Sequence, residues 1–154
     1  MAVETTMAAV RAHFEYVNWN AAENGLCHVG DTLVWTCRAD GQVFHGPDGY
    51  AACLARWRRA LPDCWFEVRS FDVAGATIVC QLVLRGVHRG LLETCFGLIP
   101  ATGKPVDLPV CEIYRTCGAQ LAAIDSYFDF STLVRQLGRS PDYRLQPLQM
   151  LLMN

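Results

Sequence analysis

The sequence predicts an α+β protein in which a curved, mostly antiparallel sheet wraps around N-terminal helices. Apolar residues recur at helical spacing in the first third of the chain, and the period changes to strand-like alternation from Cys64 onwards. The β-rich segments that follow come one after another, which favours antiparallel pairing with the helices on one face. A curved sheet closed by helices leaves a pocket between the two layers.

The first two helices are predicted by apolar stripes and end signals. In residues 5–19, one helical face is formed by Met7, Val10, Phe14 and Val17. A short strand is expected within residues 31–41. A second helix begins at the Gly-Pro-Asp of residues 46–48, because proline suits the first helical position, and it stops at Pro62. Its apolar stripe consists of Tyr50, Cys53, Leu54, Trp57 and Leu61, and Arg56 lies mainly outside this stripe.

The second half of the chain is predicted to form long strands. β-forming residues, many of them alternating with polar ones, occupy residues 65–73, 76–90, 106–117 and 120–129. Residues 91–105 carry glycine and proline and are expected to form a loop. A short helix is expected over residues 131–138, and Asp129 stands where a residue capping its first turn belongs.

The composition indicates one apolar domain. The chain has 154 residues, of which 52% are hydrophobic and 18% charged, so we expect a single domain over 1–154, with a core at about 5–138 and a C-terminal tail at 139–154. A net charge of −2 gives no electrostatic footprint for nucleic acid. There is neither an apolar run of about 18 residues nor a signal-peptide pattern, so a cytoplasmic protein without a membrane partner is expected.

Cysteine and histidine spacing predicts neither disulfides nor a metal site. The eight cysteines include no Cys-x-x-Cys pair, and without a secretion signal we expect reduced thiols that act as small apolar fillers. The four histidines, at positions 13, 28, 45 and 88, do not stand at ligand spacing from one another. No metal or other cofactor is therefore expected.

Five motifs, in order along the chain, resemble those of SnoaL-like proteins. Residues 44–68 resemble the family's Gly-Pro helix that runs into a Pro-Asp-x-x-Phe-x-Val strand, and residues 84–90 resemble its G-x-H-x-G strand end. The Pro-Ala-Thr-Gly-Lys-Pro-Val of residues 100–106 resembles its turn before the next strand. Residues 112–115 and 127–138 resemble its final strand and helix. Each motif alone is weak, but the ordered set covers about two-thirds of the chain.

The resemblance implies a nuclear-transport-factor-like cone that encloses an apolar cavity. The family includes polyketide cyclases, isomerases, hydrolases and proteins that only bind ligands, so the function must come from the cavity residues. We expect a cofactor-independent enzyme of secondary metabolism that cyclises or isomerises an apolar polyketide-like or terpenoid intermediate by acid/base chemistry. Epoxide-hydrolase-like hydrolysis and non-catalytic binding of a small molecule are the alternatives. The apolar composition and the apolar tail also predict a homodimer.

The resemblance places the catalytic aspartate of the cyclases on Ser126, one residue after Asp125. Successive residues of a strand point to opposite faces of the sheet, so only one of the two can face a cavity in a regular strand. Two readings stay open: a local bulge lets Asp125 reach the cavity as a catalytic acid, or Ser126 has replaced that acid.

Glu112 is the second predicted catalytic residue. It occupies the position at which the resemblance implies a cavity histidine in cyclases and an aspartate in many relatives. Alternation puts Val110, Glu112 and Tyr114 on one face. If that face is inward, Glu112 is a carboxylate with a raised pKa and a plausible base, which Asp125 would complement as an acid. The alternative is an exposed ion pair with Arg115 or across the strands.

Eight residues are predicted to contact the substrate. Those that could hydrogen-bond it are His45, His88, Tyr114 and Ser126. Those that could form an aromatic lining are Tyr16, Trp19, Trp35 and Phe128. The alternative for the histidines is a structural or rim position, and for the aromatic residues a place in the ordinary core.

Overall fold

The computed structural model describes residues 2–19 and 26–139 and confirms the predicted fold class. Its three helices are α1 (Ala2–Trp19), α2 (Gly46–Ala60) and α3 (Phe130–Gln136). Its eight strands are β1 (Val29–Cys37), β2 (Val43–His45), β3 (Trp65–Ala74), β4 (Thr77–Val87), β5 (Leu92–Thr94), β6 (Gly97–Ile99), β7 (Pro105–Cys117) and β8 (Gln120–Tyr127). Nearly all of the predicted tail, residues 140–154, lies outside the described residues.

Six strands form one curved sheet in the order β2-β1-β8-β7-β4-β3. All neighbouring pairs are antiparallel except β1 and β8, which run parallel. β5 and β6 form a separate hairpin in the segment predicted to be a loop, so that prediction was wrong. Strands of three residues are too short to show an alternating pattern, which is also why β2 was not predicted.

The core lies between the inner face of this sheet and the helices α1 and α2. Buried and more exposed residues alternate along β7, and the inner face of that strand carries Val106, Leu108, Val110, Glu112 and Tyr114. The same alternation in β4 buries Ile78, Cys80, Leu82 and Leu84. Among the buried side chains of β7, Glu112 is therefore the only one that is neither apolar nor aromatic.

The ends of the helices follow their predicted signals. Pro47 stands in the first turn of α2, which ends two residues before Pro62. Asp129 caps α3: its carboxylate accepts a hydrogen bond from the Ser131 backbone N–H at 3.0 Å and from the Thr132 hydroxyl at 2.7 Å. These bonds lower the pKa of Asp129. The predicted capping role is confirmed.

The G-x-H-x-G segment after β4 is a structural joint. His88 is fully buried, and its Nδ1 lies 2.9 Å from the hydroxyl oxygen of Thr102, while its backbone N–H donates to the carbonyl of Lys104. Gly90 packs against the end of α2 so closely that a Cβ there would stand 1.9 Å from the carbonyl oxygen of Arg59. The glycine is required by this contact between backbones.

Replacing Gly90 by alanine therefore destabilises the protein strongly. The obstructing atom belongs to a helix backbone, so we expect the free energy of unfolding to fall by about 3 kcal/mol or more, at or above the upper end for overpacking. Gly75→Ala is the comparison: its Cβ would meet nothing within 4 Å, and its φ of 61° costs about 1 kcal/mol. Urea denaturation measures both. Equal losses for the two variants would contradict the packing role of Gly90.

Candidate active site

A small cavity lies between the inner face of the sheet and α2. Its lining is mostly apolar and consists of Trp35, Cys37, Cys53, Arg56, Trp57, Phe66, Leu84, Val110, Glu112, Ser126 and Phe128. It leaves about 20 Å³ for the centres of water molecules, and the atom-free space within and at the mouth of the cavity, open solvent included, is about 340 Å³. The two cysteines are free thiols, as predicted, and burial, with a smaller effect of Asp40, raises the pKa of Cys37 to about 11. The polar groups in this lining are few, so each can be examined separately.

Glu112 is a buried carboxylate on the inner face of β7, only 4% exposed. Its Oε1 accepts a hydrogen bond from the Ser126 hydroxyl at 2.7 Å, and its Oε2 accepts one from the Tyr114 hydroxyl. Burial raises the pKa of Glu112, and the two hydrogen bonds partly oppose that rise. The result is a fixed carboxylate that is more basic than one in water.

Ser126 connects Glu112 to Trp35. The Ser126 hydroxyl oxygen accepts a hydrogen bond from Trp35 Nε1 at 2.8 Å. An indole N–H can only donate, so the serine proton is free to point at the carboxylate. The chain of donors therefore runs in one direction, from Trp35 through Ser126 to Glu112.

The strand register decides which residue of the Asp125-Ser126 pair faces the cavity. Ser126 pairs directly with Glu112 across β7 and β8, and Asp125 pairs with Ile113. In the described part of β8, the irregularities of pairing fall near its start, opposite Thr116 and between Val29 and Val34, and not at Asp125. Ser126 consequently shares the inner face with Glu112, and Asp125 points to the outer face.

Asp125 has a structural partnership on that outer face. Its carboxylate lies 2.7 Å from Arg38 Nη2 and 3.0 Å from Arg115 Nη1. The prediction that Asp125 acts in the cavity is therefore wrong, and with it the expectation of two carboxylates in one pocket. Arg115, proposed as a surface partner for Glu112, is instead a partner of Asp125.

Four of the eight predicted contact residues lie at the site. Trp35, Ser126 and Phe128 line the cavity, and Tyr114 is buried beside it with its hydroxyl on Glu112. The ring of Phe128 packs edge-on against Trp57 at 5.8 Å between centroids. These residues combine hydrogen-bond donors with an aromatic wall.

The other four lie elsewhere. Trp19 is 72% exposed and stacks edge-on against Trp65, and Tyr16 packs against His28 and Tyr50. His45 is an exposed residue of β2, and His88 belongs to the buried joint after β4. Their expected place in the cavity is corrected: Trp19 lies on the surface, Tyr16 packs against the core beside Tyr50, and the two histidines stand where strands end.

A buried hydrogen-bond cluster was missed by sequence reasoning. The hydroxyl of Tyr50 lies between His13 Nδ1, at 2.7 Å, and His28 Nε2, at 3.1 Å. Burial, with a smaller effect of His28, lowers the pKa of His13 to about 3, so its ring is neutral at physiological pH. None of the three residues lines the cavity. They form a separate buried polar cluster, and the rings of His13 and Tyr50 pack against Trp35 of the cavity lining.

The second missed feature is a buried ion pair in the cavity wall. Arg56 Nη1 lies 2.8 Å from Asp40 Oδ2 and 2.9 Å from Gln42 Oε1. Both charged side chains are almost fully buried, at 5% and 2% exposure. The apolar stripe of α2 predicted that Arg56 lies outside the buried face of the helix. No local sequence signal marks Asp40, because the ion pair joins a helix to a turn that is distant in sequence.

Within residues 2–19 and 26–139, no three His, Cys, Asp or Glu side chains come together as a metal site. No helix in the same described ranges is long and apolar enough to cross a membrane.

Comparisons with known proteins agree with this fold. The fold is shared with TsrD from Streptomyces laurentii (19% identity, TM-score 0.73, covering 90% of this chain and 98% of that chain). It is also shared with a candidate SnoaL-like polyketide cyclase from Jannaschia sp. CCS1 (16% identity, TM-score 0.75, covering 91% and 96%). A third match is a hypothetical protein of ketosteroid isomerase-like fold from Catenulispora acidiphila (16% identity, TM-score 0.70, covering 88% and 95%).

No functionally curated protein matches the sequence. The profile of the SnoaL-like polyketide cyclase family, by contrast, matches residues 7–137, most of the chain. The cone fold, the apolar cavity and the ordered motifs all fit that assignment. The chain therefore belongs to the SnoaL-like polyketide cyclase family.

Proposed function

We propose that this protein is a cofactor-independent enzyme of secondary metabolism in which Glu112 is the catalytic base. The observation that carries the proposal is a carboxylate with a raised pKa, held by two donors in an otherwise largely apolar cavity. A base of this kind removes protons from carbon more effectively than an exposed carboxylate. The substrate is an apolar polyketide-like or terpenoid intermediate.

The reaction begins when Glu112 takes a proton from a carbon next to a carbonyl group. The electron pair of the broken C–H bond moves into the carbonyl and forms an enolate, and the proton stays on the carboxyl group. In an isomerisation, Glu112 returns the proton to another carbon of the same system. In a cyclisation, the enolate carbon attacks a second carbonyl of the same molecule, and the new alkoxide takes the proton back.

Ser126 and Tyr114 hold the base in place during these steps. Each hydroxyl bonds one of the two carboxylate oxygens, and each oxygen keeps a further lone pair for the substrate proton. Trp35 fixes Ser126 in turn. Because the carboxylate is held before the substrate arrives, little reorganisation is needed at the moment of proton transfer.

The two alternatives make different demands on the site. Hydrolysis would use Glu112 to activate water and would place a solvent-derived oxygen in the product, whereas isomerisation and cyclisation add none. A purely binding protein was expected if Glu112 and Asp125 both pointed away from the pocket. The inward position of Glu112 supports an enzyme over that alternative.

Homodimer formation stays a prediction, since residues 140–154, the apolar tail on which the prediction rests, lie outside the described residues. Light scattering of the full chain is expected to give the mass of two chains. A single-chain mass over the working concentration range would contradict the dimer.

Replacing Glu112 by glutamine is expected to slow proton abstraction by about 100-fold or more, the lower bound for loss of a general base. The probe is 5-nitrobenzisoxazole: the base removes its ring C–H proton, the N–O bond breaks, and a coloured cyano-nitrophenolate forms. Asp125→Asn is the matched control, because it makes the same carboxylate-to-amide change on the other face of the sheet. We expect Asp125→Asn to keep the wild-type rate, and equal rates for wild type and Glu112→Gln would reject the proposal.

The raised pKa of Glu112 also predicts a pH-dependent cost in stability. The folded protein keeps the Glu112 proton at a pH where the unfolded chain, with a pKa of about 4.3, has lost it. The resulting stability is full below the unfolded pKa and is lost as pH rises through the folded pKa. The free energy of unfolding of wild type, relative to Glu112→Gln, should therefore fall as pH rises from about 4 through the folded pKa of Glu112. Denaturation across this range measures it, and a pH-independent difference would contradict the raised pKa.

A further inference from the structure

Arg56 is a buried guanidinium in the cavity wall that uses one of its three nitrogens. Nη1 donates to Asp40 and Gln42, whereas Nε and Nη2 are buried without a well-formed hydrogen bond among the described residues; the thiol of Cys37, a weak acceptor, also interacts with this guanidinium. Buried donors are almost always paired, because leaving them unpaired costs free energy. Two unpaired donors on one cavity residue therefore indicate a ligand that supplies the missing acceptors.

The surroundings of Arg56 restrict where that ligand can bind. Its Cζ lies 5.4 Å from the centre of the Phe44 ring and 5.0 Å from that of Trp57, each facing the guanidinium in cation–π range. N–H donors point outward in the plane of the guanidinium. Nε and Nη2 lie on the same edge of that plane with nearly parallel N–H bonds, the arrangement that binds two oxygens of one planar group.

The charges in the cavity favour an oxygen pair that becomes negative during the reaction. Asp40 already neutralises Arg56, and Glu112 must be ionised in order to act as the base. A permanently ionised substrate would add a second negative charge to this apolar space. When Glu112 takes a proton it becomes neutral and the substrate becomes the anion, so the cavity keeps the same total charge throughout.

We propose that Arg56 binds the enolate of a 1,3-dicarbonyl substrate, with Nε on one oxygen and Nη2 on the other. This inference rests on the proposed role of Glu112 as the base. Glu112 removes the proton from the carbon between the two carbonyl groups, and the electron pair of that C–H bond spreads over both oxygens. Asp40 and Gln42 hold the opposite side of the guanidinium, and no oxidant or reductant is needed.

The test uses tropolonate, a small planar anion with two neighbouring oxygens, as the probe. Its neutral counterpart is 2-methoxytropone. Binding is measured by calorimetry above the pKa of tropolone, on wild type, Glu112→Gln, and Glu112→Gln combined with Arg56→Lys. The glutamine imitates the protonated base, and lysine keeps the charge beside Asp40 but removes the paired donors.

We expect Glu112→Gln to bind tropolonate more tightly than wild type, and 2-methoxytropone more weakly than tropolonate. Adding Arg56→Lys should weaken tropolonate binding by about tenfold or more, as for the loss of charge-assisted hydrogen bonds. The matched control is Arg59→Lys in the same background, because Arg59 lies on the same helix in an exposed ion pair with Glu93. That control should leave binding unchanged.

Benzoate, a carboxylate, is the competing probe. Benzoate bound more tightly than tropolonate, or tropolonate binding that survives Arg56→Lys, would overturn the inference. If Arg56→Lys does not fold, the pair Arg56→Gln with Asp40→Asn removes both charges together and is expected to lose tropolonate in the same way; retained binding would again overturn it. The nitrobenzisoxazole rate does not require Arg56, so a failure here is distinguishable from a failure of Glu112 as the base.

Discussion

The pairing of Glu112 with Ser126 across β7 and β8 is the interaction on which the site depends. It puts a carboxylate and its serine donor on the same inner face, and it turns Asp125 outward to Arg38 and Arg115. A shift of one residue would reverse all of these directions. The chemistry available to the cavity is therefore set by backbone hydrogen bonds between strands.

The same pairing explains how a carboxylate can stay buried here. Removing Glu112 from water is unfavourable, and the hydroxyls of Ser126 and Tyr114 offset part of that cost. The part that is not offset appears as a raised pKa, which is the property a base requires. The cost of burying the charges of Arg56 and Asp40 is offset in another way, because the two side chains neutralise each other. The two donors that Arg56 leaves unpaired point to a ligand.

Much of this fold could be predicted from the sequence, because periodicity reports burial over long elements. The apolar stripe of α1 and the Gly-Pro start of α2 predicted the helices, and the alternation of β7 put Glu112 on one face with Val110 and Tyr114. The sequence could not decide whether Asp125 or Ser126 faces the cavity, since both possibilities are compatible with it. Only the register of the β7–β8 pairing distinguishes them. The burial of Arg56 was missed because its partner Asp40 is distant in sequence. The β5–β6 hairpin was missed because its strands are too short to show an alternating pattern of apolar and polar residues.

The central claim is that Glu112 is a buried base with a raised pKa. Carbon-13 NMR of the glutamate side-chain carboxyl groups, with Glu112→Gln to assign the signal, measures that pKa directly in the folded protein. The account predicts a titration midpoint for Glu112 clearly above the value of about 4.3 for a glutamate in water. A midpoint at or below that value would contradict it.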